Sequence, residues 1–261
     1  MHMWVNQDFR GGGESMSEKQ QSNTEAVTIY QVWDKPVRIF HWVNVILITG
    51  LMFIGLIMLF KAELGISGLA AKIKLKEVHI VIGYLFVINL FVRLLWGFIG
   101  SGFARLSHIL PSISAARDYS QALKSGGNPQ YLGHNPLGKL AVSAIFVLLI
   151  VIAATGLFRA GTDVFYPPFG STITSYIAAD GVEAVTLKPY DDTGVNQEKV
   201  AQLKPYKSLA GKVHIYGSYL LMLLILIHIL GVVIAELKHQ PGIVSAMFSG
   251  KKRLKDKPVD N

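Results

Sequence analysis

KVHIYGSYLLMLLILIHILGVVIAE, residues Lys212 to Glu236, carries no charge between its ends and places two histidines, His214 and His228, among apolar residues. Roughly 20 such residues, rising 1.5 Å each, cross about 30 Å of hydrocarbon. In lipid every backbone amide must be satisfied within its own segment, so the stretch reads as a membrane-spanning helix. Three more blocks have the same character: Arg38 to Phe60, Glu77 to Gly100 and Leu137 to Phe158. The expected fold class is therefore an all-α membrane protein. It is a four-helix transmembrane bundle with a long polar loop, 159–211, between the third and fourth helices.

Composition agrees. The 261 residues are 51% hydrophobic and 16% charged, against about a quarter charged in soluble domains. Cysteine is absent, which excludes disulfides, cysteine-held iron–sulfur clusters and covalent c-type haem. The net charge of +8 points to loops facing the cytoplasm or anionic lipid rather than to nucleic acid. Residues 1–30 have no apolar signal core and read as a disordered tail; 31–250 form the transmembrane domain, and 251–261 a basic tail. The run from Pro111 to Gly127 predicts a short interfacial helix, and Asn135-Pro136 a helix start. The bias of Lys and Arg puts both termini and the loop between the second and third spans on the cytoplasmic side, in a multi-pass protein of the bacterial inner membrane.

Ionisable side chains inside lipid are costly and mark function. Four of the eight histidines, His41, His79, His214 and His228, fall in spans. His79 and His214 both begin spans that start on the far side, so they share a level. His228 follows His214 by 14 residues, about 21 Å and close to four full turns further on. It faces the same way and returns to the level of His41. The result is two histidine pairs, His41 with His228 and His79 with His214. Two neutral imidazoles from different helices suit axial ligation of haem b, with the porphyrin in the bundle core; two haems per chain are expected. Zinc would want three or four clustered ligands, and none are spaced for it.

Gly83, Gly217 and Gly231 lie three or four residues after a histidine on the same face. They leave room for a macrocycle or let helices pack closely; the sequence allows either. Arg93, 14 residues after His79, or Arg38 would meet a haem propionate, the alternative being snorkelling to the interface. His134, in GHNPLG, reads as an interfacial cap, with a quinone-site residue as the sharper alternative. His2, His108 and His239 read as solvated. A transporter or proton channel using histidine relays would call for intramembrane carboxylates or broken helices, and the spans show neither. A membrane scaffold with incidental histidines is the remaining rival.

At these residues the chain resembles the prokaryotic cytochrome b561 family, which includes the b-type cytochrome subunits of nickel–iron hydrogenases. The resemblance rests on VWDKPVRIFHW, Thr49-Gly50 in the first span, EVHIVIGY with a later Arg and Trp, GHNPLG, the His214/His228 spacing and the closing GIVSAMFSGKKR. It covers residues from about 30 to 253. It implies four or five helices, two b haems on His41, His79, His214 and His228, and electron transfer in a respiratory chain between quinone or quinol and a redox partner. That partner would be a c-type cytochrome or a hydrogenase. The 159–211 segment has no close counterpart and is where partner specificity is expected.

Overall fold

The computed structural model describes residues 27–100 and 102–260; the disorder expected for 1–30 lies, as far as residue 26, outside the described residues. Helix α1 covers Lys35–Leu59, α2 Leu69–Ile99, α3 Ile113–Lys124, α4 Pro136–Val164, α5 Gly170–Ile177, α6 Gln197–Ile234 and α7 Ile243–Ser249. Two short strands, β1 (Thr28–Gln31) and β2 (Lys251–Leu254), pair antiparallel. Of the helices, α1, α2, α4 and α6 are long and apolar enough to cross a membrane. They leave many of their large apolar side chains on the outside, Ile46, Phe53, Ile88 and Phe98 among them. That is the surface lipid requires.

Caps set where the spans begin. Asp34 Oδ1 accepts from Val37 N at 2.9 Å, and Asn135 Oδ1 from Gly138 N at 2.7 Å, just ahead of Pro136. Each satisfies one of the amides a helix start leaves free. Two helices outrun their hydropathy blocks. α2 begins eight residues before Glu77, and α6, capped by Asn196, begins 15 residues before Lys212. Hydropathy reports the thickness of lipid crossed, whereas helix length follows caps and neighbours, so charged turns extend both helices beyond the membrane.

The spans pack in the order α1–α2–α4–α6, with α1 on α2, α2 on α4 and α4 on α6. Among the described residues, α6 makes no extended backbone approach to α1 or α2. A mid-bundle layer of Phe86, Leu90, Leu149 and Leu221 is buried there. Phe86 lies seven residues after His79 and Leu221 seven after His214, so this apolar layer divides the bundle into two levels.

Both ends of the chain gather on one side. Thr28 pairs with Leu254 and Gln31 with Lys251, and Val32, Trp33, Val37, Ala104, Leu132, Ala246 and Leu254 share a core. Asp260 accepts from Leu132 N at 2.6 Å and Gly133 N at 3.0 Å, tying the terminus to the loop before α4. Of residues 251–261, read from the sequence as a separate basic tail, 251–260 are thus built into this end; Lys252 and Leu254 are buried. On the opposite side, residues 159–211 fold into a cap around Ile173, Ile177 and Leu187, closed by an Ala178–Val195 bridge.

Candidate cofactor site

His79 enters from α2 and His214 from α6, and the two rings meet between these helices. Their ring centres are 6.2 Å apart and the planes are crossed at 75°. Two imidazoles that share one metal ion at about 2 Å each have centres about 6 Å apart. His214 is oriented by α4. Its Nδ1 lies 3.2 Å from Ile152 O and 3.2 Å from Thr155 Oγ1. The Thr155 hydroxyl donates to Val151 O at 2.8 Å, so its oxygen is free to accept. An Nδ1–H donated this way fixes the tautomer and leaves the Nε2 lone pair for a ligand, the arrangement metal-binding histidines use. Gly156 makes this possible: a Cβ there would stand 3.1 Å from His214 Cε1. A Cβ at Gly55 would meet His79 Cε1 at 3.8 Å, in ordinary contact.

The second pair lies one level away. His41 of α1 and His228 of α6 are electrostatic neighbours. The Nδ1 atoms of His41 and His79 are buried without a hydrogen-bond partner, an expense that protein interiors seldom carry without a reason. Arg93 reinforces the point. It is 5% exposed and lies beside the stacked rings of Phe40 and Phe146, 5.8 and 5.5 Å from their centres, yet its Nη1 has no partner. Its neighbouring carboxylate, Asp34, is already engaged by Trp96 Nε1 at 2.8 Å and by the α1 cap. Arg38 donates to Phe248 O, while its Nε is buried and unpaired.

The glycines divide. Gly83 and Gly231 face open space, but a Cβ at Gly217 would meet Ile152 Cγ1 at 3.3 Å, so Gly217 serves the α4–α6 contact. His134 packs against Trp33 with centres 5.0 Å apart and has Lys252, His228, Lys139 and Arg93 as charged neighbours. Burial, with Lys252 beside it, pushes its imidazole down to about 3. His108 is exposed beside Phe103; His239 is half-buried, and its carbonyl accepts from Asn128. His2 lies outside the described residues. Among the described residues, no three histidine, cysteine or acidic side chains gather as a metal site. The histidines come in pairs, which suits a flat group carrying its own equatorial ligands. Two imidazoles meeting from different helices, with unpaired buried nitrogens on Arg93 and Arg38 left for a propionate, fit haem b.

From the sequence, Thr155, Gly156 and Arg159 have no assigned role. Thr155-Gly156 repeats the Thr49-Gly50 of the first span, but only packing shows that this copy cradles His214.

The model of the prokaryotic cytochrome b561 family matches residues 32–250. A probable Ni/Fe-hydrogenase B-type cytochrome subunit of Rhizobium leguminosarum bv. viciae is 24% identical over 94% of both chains. Its namesake in Cupriavidus necator is 25% identical over 86% of this chain and 87% of its own. A probable Ni/Fe-hydrogenase 1 B-type cytochrome subunit of Escherichia coli K12 is 26% identical over 52% of this chain and 62% of its own. No solved structure matches the chain. Facing histidines within four apolar helices and a family match across most of the sequence lead to one conclusion: the chain belongs to the prokaryotic cytochrome b561 family.

Proposed function

We propose that this b-type cytochrome conducts electrons across the bacterial inner membrane through two haems. His79 and His214 hold one and His41 and His228 the other, each pair supplied by two different helices. The 6.2 Å spacing of His79 and His214 is the observation that carries the reading. When bound, haem b supplies one-electron iron chemistry. The chain's own residues do the rest. Ile152 O and Thr155 orient His214, Phe86, Leu90, Leu149 and Leu221 keep the interior dry between the two levels, and Arg93 offers its free Nη1 to a propionate. Arg38 is the second cation within reach of that level.

The relatives' names favour a hydrogenase as the redox partner, and the folded cap at 159–211 is the surface that would meet it. The reading as a membrane-anchor subunit of a nickel–iron hydrogenase draws equal support from those names. A c-type cytochrome is the other candidate partner. Quinone or quinol would react at the side that holds both termini, where His134 lies near His228. The bias of Lys and Arg toward that side favours a cytoplasmic location for it.

Haem-loaded chain in sealed vesicles, given a membrane-impermeant reductant outside and an impermeant acceptor inside, should pass electrons inward. His41→Ala and His79→Ala should each abolish the flux. Wild-type flux no faster than that of empty vesicles, or full flux in either variant, would contradict the reading.

A further inference from the structure

One cluster of buried charge has no part in the scheme above. Asp163, 7% exposed at the end of α4, is met by three cations from three helices. Lys76 Nζ of α2 lies at 2.7 Å, Arg159 Nη2 of α4 at 3.0 Å and Lys207 Nζ of α6 at 3.0 Å. Glu77, the nearest alternative acid in sequence, is engaged by Lys74 at 3.4 Å and by the Tyr166 hydroxyl at 3.1 Å. One carboxylate therefore faces three cations in a half-buried place, which leaves an excess of positive charge unexplained.

The cluster sits directly over the first histidine pair. Arg159 lies three residues beyond Gly156, against which the His214 ring rests, and its guanidinium crosses Gly211, three residues before His214, at 3.8 Å from where a Cβ would stand. Arg159 is an electrostatic neighbour of both His79 and His214. Among the described residues, its Nε and Nη1 make no hydrogen bond, only Nη2 being used by Asp163. A guanidinium with a free edge is the group that grips a carboxylate with two parallel hydrogen bonds.

We infer that Lys76, Arg159 and Lys207, gathered by Asp163, form the receiving site for the two carboxylate side chains of the haem held by His79 and His214. This rests on the dihaem reading. Haem brings two carboxylates, which balance the charge the cluster leaves over. Asp163 holds the cations in place when it alone is present, and α2, α4 and α6 contribute one each. The same charges tune the iron: reduction removes positive charge from the haem, so nearby cations favour the reduced state and raise its potential.

The test is a spectroelectrochemical titration of the full chain in lipid nanodiscs, as wild type, Arg159→Gln, Lys207→Gln and Lys207→Arg. Lys207 is the most exposed of the three cations, so its variants keep the test sound even where Arg159→Gln does not fold. One of two haem components should shift to lower potential in the Gln variants and return in Lys207→Arg, while the other stays fixed. Two haems with wild-type potentials in Lys207→Gln, or both components displaced equally, would overturn the inference and leave the dihaem reading intact. Wild-type chain without b-type haem would overturn the reading and the inference with it.

Discussion

Gly156 and Thr155 show how much of a ligand's chemistry lies in residues that never touch the metal. A histidine is useful as a ligand only when one nitrogen is committed elsewhere and the ring is held at one angle. At His214 the carbonyl of Ile152 and the Thr155 oxygen do the first, and the missing side chain at Gly156 does the second. Gly156→Val would force a branched side chain into a space where even a Cβ sits 3.1 Å from Cε1. We expect it to weaken one haem by about 10–100-fold, the usual cost of disturbing a ligand's support, and to spare the other. Haem release against apomyoglobin as acceptor measures this; equal loss of both haems, or none, would show that α4 does not orient the ligand. The ligand candidates themselves were legible in the sequence, because a 14-residue step is close to four turns and histidine is expensive in lipid. Their supports were not. Thr155 and Gly156 are 59 and 58 residues away from His214 along the chain, and only the α4–α6 packing brings them to it.

At the scale of elements, hydropathy located four spans and the Asn135-Pro136 pattern one helix start, but hydropathy misjudged the ends. Lys72, Lys74 and Lys76 precede the second apolar block and are helix; residues 197–211 read as loop and are the first turns of α6. The β1–β2 pair was also invisible, since four-residue strands carry too little pattern and their partners lie at opposite ends of the chain. That end cap has a titration of its own. Burial holds His134 down to about 3, from 6.5, and Lys252 to about 8, from 10.5. Burial weakens proton binding at both, so between each folded and unfolded value the unfolded chain binds more protons, and stability rises with pH across each window. Below pH 6.5 the folded state should therefore lose stability as His134 is denied its proton, by at most about 1.4 kcal/mol per pH unit. Thermal unfolding of purified chain should show a steeper loss between pH 7 and pH 5 in wild type than in His134→Gln. Identical slopes would show that His134 does not couple the end cap to pH.

At the scale of the whole molecule, the architecture is a bundle packed in chain order. Among the described residues, α1 packs on α2, α2 on α4 and α6 most extensively on α4, and the His79 and His214 rings meet between α2 and α6. Lipid removes the hydrophobic drive that would press α6 closer onto α2 in water, because the bilayer is as apolar as the helix surfaces. The bundle can then keep two polar levels, divided by Phe86, Leu90, Leu149 and Leu221, about 21 Å apart along α6. Cations stand at both outer edges: Arg93 and Arg38 at the termini side, Lys76, Arg159 and Lys207 at the other.

The count of haem b per chain, by pyridine haemochrome assay on wild type, His214→Ala and His228→Ala, puts the pairing to the most direct trial. Two haems should be found in the wild type and one in each variant. A single haem in the wild type, or two retained after either substitution, would contradict it.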